Sequence, residues 1–257
     1  MRSGSMNRNA GFGLVELMIA LVLGLILVLA VIQVFLASNQ TFALQRKVAV
    51  TQEDARFVLT RMASEIRMVN MYGCLNRSRL ANASSFPAEL DVPISYDSGR
   101  LRIITADSNS EVFPTQTTRS VTGYGARWLM ATDCRNEVRI IDSGTVVVNA
   151  GDVLIPLRQL EYRVDRHRLQ VRSNDSGNFE TLIEGVVGLT ISFALAENPG
   201  DASVAGDYVS ILASDEISRI RSVRLALQLS DNPSSVGNAT VSTQEYTVVA
   251  ALRNRMN

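Results

Sequence analysis

The chain is poor in the residues that build enzyme sites and metal centres. It has one histidine, His167, in 257 residues, which excludes a multi-histidine metal site. That histidine sits in Arg166-His167-Arg168, a predicted hairpin turn with only Asp165 near enough to orient it. It reads as a solvated turn residue rather than the centre of a Ser-His-Asp triad. Glycine-rich phosphate-binding loops are missing, since Gly123-Tyr124-Gly125 is only a loop. The two cysteines, Cys74 and Cys134, are far apart, which excludes the close pairs of zinc sites and redox motifs. They are either two buried thiols or one disulfide, and the compartment decides which. Aromatic residues are sparse, with Trp128 the only tryptophan. An excess of either charge is also lacking, with 25 Lys+Arg against 25 Asp+Glu, so nothing global calls for a nucleic-acid partner. No catalytic constellation and no cofactor are therefore expected.

Local charge is more varied. Arg163, Arg166, Arg168 and Arg172 make one basic patch, and Arg219, Arg221 and Arg224 another. Neither is interleaved with aromatics for base stacking, so both read as solvated strand faces or subunit contacts. Asp107, Asn109 and Glu111 alternate in one stretch, and Asp201 and Asp207 flank another. Oxygen-rich loops can hold calcium, but this spacing matches no EF-hand, and solvated loops are the expectation.

What the chain has in abundance is one apolar run near its start. Residues 1–11 carry Arg2 and Arg8 and no acid, and from Leu17 to Ile32 there is no polar side chain. The run from Phe12 to Ala37 meets the roughly 20 residues needed to cross about 30 Å of hydrocarbon. Its basic flank predicts a cytoplasmic N-terminus with the remainder outside. That orientation puts both cysteines in an oxidising compartment and predicts a Cys74–Cys134 disulfide. The run is too long for the core of a secretory signal peptide, and no A-x-A site follows it. Glu16 is its only charge. A carboxylate inside a membrane helix costs about 2.5–3.5 kcal/mol on insertion scales and marks a functional position by default.

Glycine is absent between Gly24 and Gly73, and the first proline is Pro87. One continuous helix from about Leu14 to Val69 is predicted, roughly 80 Å long at 1.5 Å per residue. Past the apolar run it becomes amphipathic: Ala55, Val58, Leu59, Met62, Ile66 and Val69 recur at helical spacing. Gly73 is the expected stop. Beyond it the chain reads as strands and turns. Val223–Leu229 alternates as a half-buried strand, and Leu160–Val164 with Arg168–Val171 reads as a hairpin. Arg100–Thr105, Trp128–Thr132, Val138–Ile141, Thr145–Val148, Val186–Leu195 and Tyr246–Leu252 are further candidate strands. Stretches 76–85, 107–125, 174–178, 198–206 and 231–238 read as loops. The class is α+β, a long helix with an antiparallel-leaning sheet; two sheets or a sizeable insertion would account for the size of the β-rich part.

Gly11-Phe12-Gly13-Leu14-Val15-Glu16-Leu17-Met18-Ile19 resembles the type III, or prepilin, signal. The resemblance implies cleavage after Gly11 by a prepilin peptidase, N-methylation of Phe12, and Glu16 as the acid at the fifth mature position, which serves assembly. Further along, Ala55-Arg56-Phe57-Val58-Leu59, Glu65-Ile66-Arg67-Met68, Tyr72-Gly73-Cys74, Leu182-Ile183-Glu184-Gly185-Val186, Ile220-Arg221-Ser222-Val223-Arg224-Leu225 and Val249-Ala250-Ala251-Leu252-Arg253-Asn254-Arg255 resemble segments of the PilW family of minor pilins, in order. Val69-Asn70-Met71 departs from that pattern just before Tyr72.

The resemblance implies a type IV pilin-like fold divided into a leader (1–11), a membrane-spanning helix half (12–37), an amphipathic helix half (38–73) and a periplasmic β-rich domain (74–257). It implies a minor pilin that primes type IV pilus assembly in the bacterial inner membrane and ends at the fibre tip, supporting twitching motility and adhesion. Other minor pilins, the major pilin, the platform protein, the prepilin peptidase and a tip adhesin are the implied partners, with no nucleic acid among them. A J-type pseudopilin of a type II secretion system shares leader and fold and is the second reading. A membrane-anchored periplasmic enzyme is the third, and no catalytic constellation supports it.

Overall fold

A computed structural model describes residues 13–74, 86–107, 109–175, 177–230, 232–235 and 243–252. The chain divides at Val50/Thr51 into two compact units. The first is entirely helical: every described residue from Leu14 to Val50 lies in helix α1, which runs Leu14–Arg67. All of these side chains are exposed, and an 18-residue window within the helix reaches a mean hydropathy of 3.1 with none of it buried. The helix is long and apolar enough to cross a membrane.

In the second unit, α1 continues as an amphipathic helix. Ala55, Val58, Leu59, Met62, Ala63 and Ile66 form its buried stripe, while Arg56, Phe57, Thr60 and Ser64 face out. The expected stop at Gly73 is a correction, and with it the helical half expected through residue 73. The last turn tightens, with the N–H groups of Met68 and Val69 donating to the carbonyls of Glu65 and Ile66. Asn70 then takes the left-handed conformation (φ 62°) and its N–H donates to Ile104 O at 3.4 Å. The helix ends where a strand edge offers its backbone groups other partners. Gly73 turns the chain again (φ 68°), and a Cβ there would meet Ile155 Cδ1 at 2.7 Å. Glycine is needed for that close approach, not for the helix end.

The β-rich part holds two main antiparallel sheets and a ribbon. The larger sheet is organised on β8 (Val153–Asp165), its longest strand. On one side β8 pairs with β2 (Arg100–Ala106), which pairs with β1 (Ile94–Asp97), and with the short β3 (Glu111–Val112). On the other side it pairs with β5 (Trp128–Thr132), followed by β6 (Val138–Ile141), and with β9 (Arg168–Ser173), followed by β10 (Glu180–Glu184). The smaller sheet is β11 (Val186–Leu195), β12 (Ile220–Ser230) and β13 (Thr243–Ala251), in that order. The ribbon pairs β4 (Thr117–Ser120) with β7 (Thr145–Val148).

The stripe of α1 shares one core with both main sheets: Met62 and Ile66 cluster with Leu101, Ile103 and Tyr162 of the larger and with Ile191, Phe193, Leu225 and Leu227 of the smaller. Trp128, Met130, Ile104 and Leu157 form a second cluster, and Leu129, Val146, Val148 and Leu154 pack under the ribbon as a third. The α+β plan expected from the sequence, with the second part of a long helix packed on antiparallel sheets, is present. One expectation needs correction. Residues 107–125, read as a loop, contain β3, β4 and the short helix α2 (Val121–Tyr124). Val138–Ile141 and Thr145–Val148 are strands, but they belong to different sheets.

Candidate assembly site

The part of the molecule that exposes the most apolar surface is also the part with the fewest charges. From Leu14 onward the first charged residue is Glu16 and the next is Arg46. Between them Leu21, Val34 and Phe35 are 65%, 70% and 64% exposed. A continuous apolar face of this extent is not stable in water and must be covered by lipid or by other helices. Glu16 lies in the first turn of α1, where the N–H groups of Glu16 and Leu17 donate to Gly13 O at 3.1 and 3.2 Å. A carboxylate in that turn faces the positive end of the helix dipole. Gly11 and Phe12, the expected cleavage and methylation residues, lie outside the described residues.

Farther along α1, Glu53, Arg56, Phe57, Thr60 and Ser64 border an open groove on the side of the helix away from the core stripe. Phe57 is 56% exposed there. Arg61 pairs with Glu65 at 3.3 Å, and Glu65 also accepts a hydrogen bond from the hydroxyl of the fully buried Tyr162. Burial raises the Tyr162 hydroxyl above its ordinary value, and the Glu65 carboxylate raises it further. Tyr162 is therefore a permanent donor, and the contact fixes helix to sheet. The signal for it was in the sequence: an inward-facing tyrosine in the alternation Leu160, Tyr162, Val164 needs a polar partner.

Cys74 and Cys134 are joined by a disulfide, with Cα atoms 5.5 Å apart across 60 residues of sequence. The bond links the segment leaving α1 to the β5–β6 turn. That turn is held by Asp133, whose Oδ1 accepts from the N–H groups of Arg135, Asn136 and Glu137 at 2.9 Å each. These backbone hydrogen bonds hold its carboxyl below the usual range.

The basic patches dissolve into separate roles. Arg163 and Arg172 stack on the Phe179 ring, at 3.7 and 4.7 Å from its centre. Arg172 and Arg100 both bind Glu161, which is nine-tenths buried. Burial pushes the Glu161 carboxyl up, but the hydrogen bonds from Arg172 and Arg100 outweigh it and hold the group below its ordinary value. The reading of Arg221 as a solvated or subunit-contact residue is a correction: it is 1% exposed. Its guanidinium donates to the carbonyls of Pro199, Asp201, Ser218 and Ile220, at 2.7, 2.5, 3.1 and 3.1 Å. Burial lowers its pKa below the ordinary arginine value, while the Asp201 charge acts in the opposite sense. Among the described residues no carboxylate hydrogen-bonds it, and four backbone oxygens solvate it instead. It anchors the long β11–β12 connection. Arg219 pairs with Glu216 at 2.9 Å, and Arg224 lies over the Tyr208 ring.

His167 is exposed, and its Nδ1 lies 3.2 Å from Val186 O. The Val186 N–H donates back to His167 O, so the turn is tied to the start of β11. The oxygen-rich loops are spent on local bonds. Asp107 lies 3.0 Å from Arg158, Glu111 accepts from the Tyr124 hydroxyl, and Asp201 accepts from the Asn198 N–H. Among the described residues no cluster of three potential metal ligands occurs.

The family model of the prokaryotic N-terminal methylation motif matches residues 6–32. No curated protein compared with the chain matches it. Among solved structures, a type IV-like pilin from Thermus thermophilus is similar at 9% identity and a TM-score of 0.38, over 80% of this chain and 98% of that one. The matched motif covers Arg8, Gly11-Phe12, Glu16 and the apolar run to Ile32. The chain carries a prepilin-type methylation motif at the head of an exposed, membrane-length helix.

Proposed function

We propose that this chain is a minor pilin of the PilW type, a structural subunit that primes type IV pilus assembly and stays at the fibre tip. The observation that carries the proposal is Glu16, the one charge in the exposed part of α1 before Arg46, inside the matched methylation motif. An acid placed there costs insertion energy that nothing in a simple membrane anchor returns. After cleavage behind Gly11, the new amine of Phe12 lies one helical turn away, and an opposite-charge pair in low dielectric is strongly attractive. In this reading the helix anchors the subunit in the inner membrane, and the disulfide-closed β-rich unit faces the periplasm. Other pilin-like subunits, the platform protein and a tip adhesin are its partners.

Processing is the direct test. The full chain, expressed in a bacterium with its own prepilin peptidase, should yield a mature protein beginning with N-methylated Phe12 by intact mass and N-terminal peptide mass. A mature protein still beginning at Met1 or Met6 would overturn the proposal. A deletion strain should lose surface pili and twitching; loss of enzyme secretion with normal pili would assign the chain to a secretion pseudopilus instead.

A further inference from the structure

Apart from β13, the strands at the edges of the larger sheet and the smaller one are shielded or too short to template another strand, and β3 has only two residues. β1 and β6 have four residues each. β10 has five and carries a register break between Thr181 and Ile183. The outer side of β11 is met by a loop: Val209 and Phe193 exchange backbone hydrogen bonds at 2.7 and 2.9 Å, and Ala205 N–H donates to Leu195 O. These are the ways native sheets avoid edge-to-edge pairing.

β13 uses none of them. It is nine residues long, Thr-Gln-Glu-Tyr-Thr-Val-Val-Ala-Ala, with an unbroken register against β12 and no proline or basic residue. Among the described residues nothing pairs with its outer edge. Its core-facing row is left incomplete, since Tyr246 and Val248 pack against the core but stay half-buried.

We infer that the open edge of β13 pairs antiparallel with β13 of a second copy of this chain, about a two-fold axis through Thr247. The strand is self-complementary in that one register. Centring on Thr247 pairs all of Thr243–Ala251 and keeps core-facing residues beside core-facing residues. Tyr246 then meets Val248 of the second copy, an aromatic–β-branched pair that covers both half-buried side chains. Glu245, the only charge, meets Val249. Centring on Glu245 instead would oppose two carboxylates. The two three-stranded sheets would become one of six strands. The inference is independent of the pilus role proposed above, because it rests on the β-rich unit alone.

The test uses the full chain in membranes. Thr247 and Thr190 are both exposed and lie in one row across β11, β12 and β13, with Ala226 between them. Under mild oxidation Thr247→Cys should give a covalent dimer, because directly opposed Cβ atoms are about 5 Å apart. Thr190→Cys, two strands from the edge, should not. In co-capture of differently tagged copies, Thr247→Lys should lose self-association through like charges placed opposite one another, and mixing it with Thr247→Glu copies should restore it. The inference is overturned by a Thr247→Cys chain that stays monomeric, by equal cross-linking at Thr190→Cys, or by Thr247→Lys copies that associate as well as wild type, the outcome expected of association through the apolar helix.

Discussion

The two parts of helix α1 contradict the usual link between hydrophobicity and burial. Leu14–Val50 is the more apolar part, and every side chain in it is exposed. Thr51–Arg67 is mixed in character, yet Ala55, Val58, Met62 and Ile66 are fully buried. A stripe at helical spacing specifies packing against protein, whereas an unbroken apolar surface specifies a different solvent. Over residues 14–32, where that surface is unbroken, the one polar exception, Glu16, carries more information than all its apolar neighbours. In the striped part, a polar residue beside the stripe, such as Glu65, marks where the core needs a partner.

The hardest break of the comparison is at that exception. Glu16→Val should abolish surface pili in a complemented deletion strain, while membrane level and trypsin resistance of the β-rich unit stay at wild-type values. The substitution leaves the apolar length intact and removes only the acid proposed to pair with the N-terminal amine. Normal piliation by a stable, inserted Glu16→Val chain would show the acid to be dispensable.

Next in size is the disulfide. Cys74→Ser with Cys134→Ser should cost up to about 4 kcal/mol, the loop-entropy figure for roughly 60 residues. Thermal unfolding of the β-rich unit reads the loss, and the helix half before Val50 should keep its membrane insertion. A melting temperature unchanged within error would mean that the bond restrains little.

A matched pair of truncations then sharpens the contrast between the two helix parts. Ile66→Ala removes a fully buried side chain and should destabilise the β-rich unit by about 2–5 kcal/mol. Leu29→Ala removes a side chain that is 52% exposed, and the melting temperature should not move. Equal effects at the two positions would erase the distinction drawn above.

The same contrast decides what could be read from the sequence. The helix, its stripe and the strands β5, β11 and β12 were legible, because each repeats a period over many residues or has clear turn signals. The start of β8 was not. Leu154, Ile155, Pro156 and Leu157 are all buried, so no alternation survives, and Pro156 argues against a central strand. The structure accommodates that proline where β2 and β3 are interrupted: its carbonyl accepts from Asp107 N–H at 2.7 Å, in the gap between the Ala106–Leu157 and Glu111–Leu154 pairs. The hairpin Asp97-Ser98-Gly99-Arg100 was missed although Ser98 and Gly99 both take positive φ, a turn type its Ser-Gly pair could have suggested. Arg221 was illegible for another reason. Two of its acceptors, the backbone carbonyls of Pro199 and Asp201, lie in a distant loop, which no residue pattern announces.

The smallest effect concerns the charged face of the larger sheet, where the β-rich unit, unlike the membrane-length half of the helix with its exposed Glu16, buries an acid between partners in the same chain. Glu161 is held between Arg100 and Arg172. Because its folded pKa is depressed, its contribution is fully present above the unfolded value and is lost as pH falls through the lower folded one. Glu161→Gln keeps the shape and removes the charge, and should cost about 1.5–3 kcal/mol at neutral pH, the range for hydrogen bonds to a charged group. As pH is lowered below about 4, the ordinary carboxylate range, the wild-type carboxylate protonates too and the two unfolding curves should converge. Urea midpoints of both chains, measured from pH 7 to pH 3, test the sign. A gap that widens toward acid would mean that the carboxyl is held protonated in the fold, and that the two arginines do not outweigh its burial.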